Sequence, residues 1–166
     1  WKKSVIYHLY VRTFKDSDGD GHGDIPGLIS KLDYLKQLGV GGILMLPIQE
    51  SYDQEHGYSV TSFRTIEEQY GTMEDFDKLL KEAHKRGMGV IMDITPNAMS
   101  QYHPIFQDAA ADPQKSPFGD WFTFKNQKPS DHKHWRGNDA GRIFHWAKGP
   151  NNADFNFHAE GPQQFI

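Results

Sequence analysis

The chain has 166 residues, of which 37% are hydrophobic and 13% aromatic, with a formal net charge of -4 and no cysteine. That is enough apolar material for one packed domain, or one domain with an insert. The acidic balance argues against a nucleic-acid surface, no apolar run reaches membrane-span length, and disulfides and thiolate metal sites are excluded. The chain opens at Trp1 and shows no signal peptide, as expected of a processed product, an excised piece or a part of something longer. A soluble protein of undetermined compartment is expected.

A first strand is predicted over Val5–Val11, a run rich in β-branched and aromatic residues. It leads into Asp16-Ser17-Asp18-Gly19-Asp20-Gly21-His22-Gly23-Asp24, which holds four carboxylates and three glycines in nine residues. Anions at that density repel one another unless a cation sits among them, and glycine lets the backbone aim several oxygens at one point. Carboxylate and carbonyl oxygens favour a hard ion. Asp16, Asp18, Asp20, His22 and Asp24 are therefore candidate ligands for Ca2+, with His22 offering its carbonyl rather than its ring. A solvated acidic turn is the competing reading. The opening Asp-x-Asp-x-Asp-Gly is what an EF-hand would show, but its twelfth position is Gly27 instead of Glu, and a strand precedes it instead of a helix. The EF-hand fails on both counts.

Pro26 marks the next helix start, and Leu28, Ile29, Leu32, Leu35 and Leu38 keep helical periodicity up to Gly39. Gly42-Ile43-Leu44-Met45-Leu46 is a second strand, apolar on both faces and closed by Pro47. Thr72 with Asp75 makes a capping-box-like start, Phe76, Leu79, Leu80 and Ala83 form a buried stripe, and Lys85-Arg86-Gly87 marks the end. Met88-Gly89-Val90-Ile91-Met92 is a third strand, ending at Asp93. Apolar strands alternating with amphipathic helices predict an α/β fold with a parallel sheet covered on both faces. Acidic and turn residues gather after the strand C-termini, where such proteins carry their sites. From Ile94 to about Asn156 the periodicity dissolves, which predicts an inserted subdomain. His132-x-His134 lacks a third ligand and reads as surface histidines.

Several ordered blocks carry a resemblance. They are Tyr7-His8-Leu9-Tyr10-Val11-Arg12-Thr13-Phe14, the acidic loop, and Leu32-Asp33-Tyr34-Leu35-Lys36-Gln37-Leu38-Gly39-Val40. Pro47-Ile48, His56-Gly57-Tyr58 and Tyr70-Gly71-Thr72-Met73-Glu74-Asp75-Phe76 follow, then Asp93-Ile94-Thr95-Pro96-Asn97 and, more weakly, Asn152-Ala153-Asp154-Phe155-Asn156. In these blocks the chain resembles the N-terminal part of the α-amylase family of glycoside hydrolases (family 13), in particular its α-glucosidase and oligo-glucosidase branch. The resemblance implies a (β/α)8 TIM barrel. Residues 1–93 would supply strands 1–3, 94–156 an inserted subdomain B-like region, and 157–166 the return to the barrel. Such a barrel needs about 250 residues. Ile166 falls before the fourth strand, and the family's three catalytic carboxylates belong to later strands. Retaining hydrolysis needs two carboxyls roughly 5 Å apart, so no catalytic residue is assigned and the chain alone is expected to be inactive. The resemblance implies Tyr58 as a stacking platform for sugar, with Asp93 and Asn97 at the end of the third strand. The implied partner is an α-glucan or α-glucoside, and the implied role is hydrolysis or transfer of α-glucosidic bonds.

Two positions depart from the family pattern: Ser59 stands where the family has aspartate, and Ala98 where it has histidine. In the family both residues grip the sugar at the cleaved position, so their loss removes contacts that strengthen toward the transition state. Ser62-Phe63 stands where close relatives often carry Asp and an aromatic. Trp121, Phe122, Phe124, Trp135 and Trp146 could wall a sugar site, but read mostly as the insert's own small core. Three readings follow. The first is part of an active α-glucosidase-type enzyme. The second is part of a degenerate member that binds sugar or a partner, as the heavy chains of amino-acid transporters do. The third is an engineered barrel fragment whose unpaired strand edges drive self-association.

Overall fold

The computed structural model describes residues 3–52, 57–127, 134–138, 143–145 and 151–166. His56, His132 and Trp146, named above, lie outside them. The chain divides into two compact units, Trp1–Tyr58 with Ser62–Ile94, and Ser59–Thr61 with Thr95–Ile166.

The first unit is built on three parallel strands, β1 (Val5–Leu9), β2 (Val40–Met45) and β3 (Gly89–Met92), in spatial order β1-β2-β3. Two helices, α1 (Ile25–Ser30) and α2 (Leu32–Gln37), fill the first crossover, and α3 (Met73–Lys85) fills the second. Right-handed crossovers that step along a sheet in one direction place their helices on the same side. The sheet register agrees. Tyr7, Ile43 and Val90 lie side by side, as do Leu9, Met45 and Met92; Leu9, Ile43 and Met45 belong to the core with Leu28, Leu32, Leu35 and Leu79, and Tyr7, Val90 and Met92 pack half-buried against it. Each fully buried Leu or Ile there contributes roughly 1.5–3 kcal/mol. The alternate row, His8, Leu44 and Ile91, lines the other face, where Ile91 is 49% exposed. Among the described residues, the helices of this unit cover the first of these two faces.

Two boundaries differ from expectation. The first strand ends at Leu9, and Val11–Thr13 forms a 3-10 turn closed by Phe14 N–H donating to the Val11 carbonyl at 3.0 Å. The helix predicted from Pro26 to Leu38 is two helices broken at Lys31. Ser30 Oγ donates to the Gly27 carbonyl at 2.6 Å, and the turn tightens so that Lys31 N–H meets the Leu28 carbonyl at 3.0 Å. By contrast, α3 begins as read: Thr72 Oγ1 accepts from Asp75 N–H at 3.1 Å, and Asp75 Oδ2 accepts from Thr72 N–H at 3.0 Å. Leu79 and Ala83 are fully buried beneath it, with Phe76 and Leu80 half-buried.

The second unit is assembled from short pieces. Strand β4 (Ala98–Ser100) pairs antiparallel with β8 (Asn152–Asp154), and β5 (Phe124–Lys125), β7 (Ile143–His145) and β6 (Trp135–Gly137) form a second small sheet in that order. Helices α4 (Pro104–Ala111) and α5 (Glu160–Phe165) complete it. Its core is aromatic, and of the five rings named above Phe122 alone is buried among the described residues, beside Phe106 and Phe144. Phe106 packs on Phe122, Phe124 and Phe144 with ring centroids 5.0, 5.8 and 4.9 Å away. Trp121 is half-buried against Phe118 and Phe165, and Lys125 Nζ covers the Trp135 ring at 4.3 Å.

Candidate functional site

The acidic loop follows β1 and its 3-10 turn. Positive backbone φ at Gly19 (89°) and Gly21 (93°) folds it tightly, a conformation open to residues without Cβ. The turn gathers N–H groups around Asp16: Oδ1 accepts from Asp18 at 3.1 Å and Gly19 at 2.6 Å, and Oδ2 accepts from Gly21 at 3.0 Å. These bonds, Gly19 first and then Gly21, hold the Asp16 carboxyl below the usual carboxylate range. Asp24 ends the loop and is buried. Its Oδ2 accepts from Ser17 N–H at 2.8 Å, and its Oδ1 accepts from Ser17 Oγ at 2.8 Å and from Gly27 N–H at 2.6 Å, which makes Asp24 the N-cap of α1. Carboxylate oxygens of Asp16, Asp18 and Asp24 lie within 4.8 Å of one another. This set of hard oxygen donors fits a Ca2+ ion. Asp20 and His22 stand outside that cluster. Asp20 Oδ1 accepts from His22 N–H at 2.7 Å, and the His22 ring nitrogen Nε2 accepts from Arg12 Nη2 at 3.3 Å. Arg12 also donates to Gln69 Oε1. Through Arg12 the loop is thereby anchored to Gln69, 57 residues beyond that arginine, a link that no local pattern signals.

Tyr58 and Asp93 meet in the first unit. Asp93 is the residue after β3, and its N–H extends the ladder to the Met45 carbonyl at 2.9 Å. Tyr58 donates its hydroxyl to Asp93 Oδ2 at 2.8 Å. Burial first, then the hydrogen bond and charge of Asp93, push the Tyr58 phenol up to about 12, so it stays a donor at any physiological pH. The ring is 37% exposed. Its approach is set by Gly57, at φ 72°, where a Cβ would fall 2.7 Å from Pro47 Cβ and 2.8 Å from the Pro47 carbonyl oxygen. Glycine alone fits that position. A partly open aromatic ring whose hydroxyl is tied to a carboxylate can stack on an apolar sugar face while the acid accepts from hydroxyls.

Asn97 lies in the second unit, immediately before β4, and is exposed. Its carbonyl accepts from Phe155 N–H at 2.9 Å, and its Nδ2 donates to Asp154 Oδ1 at 3.3 Å. Asp154 Oδ2 in turn accepts from His145 Nδ1 at 3.1 Å. Asp154 sits in the Asn152–Asn156 block, so a sequence signal existed for it. His145 had none, since its partner lies on a different strand. The two departures from the family pattern are buried in the same unit. Ser59 Oγ donates to Ser100 Oγ at 3.2 Å, and Ala98 is 1% exposed in β4.

The chain belongs to the α-amylase family, a family of glycoside hydrolases built on the TIM barrel: the family's "Alpha amylase, catalytic domain" matches residues 8–164. Among its relatives is the oligo-1,6-glucosidase of Halalkalibacterium halodurans, 36% identical over 165 residues, covering 99% of this chain and 29% of that protein. The trehalose-6-phosphate hydrolase of Bacillus subtilis is 42% identical over 131 residues, covering 79% of this chain and 23% of that one. Among solved structures, the isomaltulose synthase of Klebsiella superposes with a TM-score of 0.92 at 34% identity, covering 99% of this chain and 32% of that one. The chain spans about a quarter to a third of the length of these relatives. Among the described residues, no helix is long and apolar enough to cross a membrane.

Proposed function

We propose that this chain is the N-terminal part of an enzyme that acts on α-glucosidic bonds, contributing three β/α units of a (β/α)8 barrel and an inserted subdomain. In this reading Tyr58 stacks on the sugar and Asp93 accepts from its hydroxyls, both in the first unit; Asn97, in the second unit, is a separate candidate contact. The observation that carries it is the 2.8 Å bond between Tyr58 and Asp93, beyond the C-terminal ends of parallel strands, where such barrels hold their substrates. The names of the relatives point to short α-linked oligosaccharides, so isomaltose and methyl α-glucoside are the first substrates to try. The test is turnover by the longest form of the protein that expresses, beside its Tyr58→Ala variant. Turnover that falls at least about tenfold on removal of a stacking ring supports the reading. Unchanged turnover in the variant overturns the role of Tyr58.

Ca2+ bound by Asp16, Asp18 and Asp24, with Asp20 and the His22 carbonyl available to complete the shell, would tie the loop after β1 to the start of α1. Its role would be structural, since a hard ion with an all-oxygen shell adds loop stability without chemistry of its own.

A second reading, a degenerate member that binds sugar without cleaving it, is favoured by Ser59 and Ala98. The hydroxyl of Ser59 is engaged by Ser100, and Ala98 has no polar group to offer. Sugar binding without turnover in the same assay would select it.

A further inference from the structure

We propose that Glu67 is a positioning residue for Tyr58: its buried carboxylate clamps the chain that leaves β2 and so fixes the seat from which the Tyr58 ring reaches Asp93. The inference rests on the reading of Tyr58 as the sugar-stacking ring. Both partners of the Tyr58–Asp93 hydrogen bond hang from the few residues at and after the end of β2. Asp93 N–H donates to the Met45 carbonyl at 2.9 Å. Gly57, the residue before Tyr58, lies so close to Pro47 that a Cβ would fall 2.7 Å from the proline Cβ. Where the ring meets the carboxylate therefore depends on where Pro47 and its successors sit beyond the strand.

Glu67 holds that stretch by two handles. Its N–H donates to the Ile48 carbonyl at 2.9 Å, and its Oε2 accepts from Ser51 N–H at 3.1 Å. Main chain and side chain of one residue thus bracket Ile48–Ser51, directly after Pro47. Glu67 is itself a fixed post, since its carbonyl accepts from Tyr70 N–H at 2.8 Å across the 3-10 turn Glu68–Tyr70. The neighbouring stitch differs in kind: Glu50 N–H meets the Thr65 carbonyl at 3.1 Å, and Thr65 Oγ1 donates to Glu50 Oε2 at 2.8 Å, with both side chains exposed to water. Glu67 and Ser51 are buried, at 6% and 4% exposure. Burying a carboxylate is costly, and a hydrogen bond to its charge offsets part of that cost. An apolar side chain here would take the acceptor away from a buried N–H. Among the described residues Asp24 and Glu67 are the buried carboxylates, and Asp24 already serves the acidic loop and α1. The position of Glu67 gives the second one a task at the sugar end of the sheet.

The experiment follows Tyr58 ionisation by rapid-mixing ultraviolet titration of the 166-residue chain, so that the phenol is read before the chain can unfold. Each background is compared with its own Tyr58→Phe partner, because Tyr70, raised first by burial, also feels Glu67. Glu67→Met matches the length of the side chain and removes the acceptor, whereas Glu67→Gln keeps an oxygen where Oε2 stood. The Tyr58 midpoint is expected at about 12 in the parent and in Glu67→Gln, and to fall toward the ordinary 10.0 in Glu67→Met. Affinity for methyl α-glucoside, the probe ligand, is expected to weaken about fivefold in Glu67→Met and to return in Glu67→Gln. Should Glu67→Met fail to fold, Glu67→Asp draws the carboxylate back from Ser51 by one methylene, with the same fall expected. A Glu67 that serves stability alone would lower the melting temperature and leave Tyr58 at about 12, and that result overturns the proposal. A Tyr58 that responds as stated in a chain whose parent does not bind the glucoside supports the positioning and overturns the sugar reading of Tyr58 instead.

Discussion

At the scale of single residues, the Tyr58 and Asp93 pair lends itself to measurement. The folded phenol is raised to about 12 from the ordinary 10.0, so the folded state holds its proton more tightly than the unfolded state does. Stability from this contact is therefore complete below pH 10 and is lost as pH rises toward 12. Spectrophotometric titration should show a late-ionising tyrosine that is absent from Tyr58→Phe; an unchanged titration curve would sink the assignment. Tyr70 is also pushed up by burial, so the comparison must be made between variants and not read from the parent alone. Gly57→Ala forces a left-handed backbone, costing about 1–2 kcal/mol, and drives its Cβ against Pro47. The variant should melt lower than the parent and bind methyl α-glucoside more weakly, whereas equal melting would show that the segment relaxes freely. Tyr58 and Asp93 were each legible in the sequence as candidates. Their hydrogen bond was not, because 35 residues separate them and only the sheet brings their ends together.

At the scale of elements, the loop and the helix it starts behave as one device. Asp24 is both a loop anchor and the N-cap of α1, so Asp24→Ala should destabilise the metal-free protein by about 1–2 kcal/mol or more. Asp20→Ala should change it little, since Asp20 makes one exposed local bond. Equal losses in urea melts of the two variants would refute this division of labour. Asp16 is held below its ordinary value, so its own contribution is present at neutral pH and fades as pH falls through that lowered value. Ca2+ should raise the melting temperature and a chelator should lower it, because an ion that binds only the folded loop stabilises it by mass action. Asp16→Asn should remove that response, and a melting temperature indifferent to Ca2+ would remove the ion from the account. On α3, Thr72→Ala breaks a reciprocal cap and should cost about 1 kcal/mol, a loss that Thr72→Ser should largely recover.

At the scale of the molecule, the exposed apolar surface of the three-stranded sheet is the main feature. Ile91 at 49% exposure, with Val5 at 60% and Ile6 at 38%, leaves apolar strand surface open in the first unit. Such surface pairs with another chain unless something covers it. The 166-residue chain is accordingly expected to self-associate as its concentration rises, and Ile91→Lys should shift sedimentation profiles toward monomer. A parent that sediments as a clean monomer at every concentration would contradict this.

The amino-acid sequence by itself determined the βαβαβ order, the capping box at Thr72, the acidic loop and the family, because each is written in contiguous residues by periodicity, local hydrogen bonding or an ordered motif. Only the tertiary structure decided which sheet face is covered, that three of the loop's carboxylates converge, and that Tyr58 meets Asp93. Those facts depend on strand register and crossover handedness, which join residues far apart in the chain and leave no local trace in it.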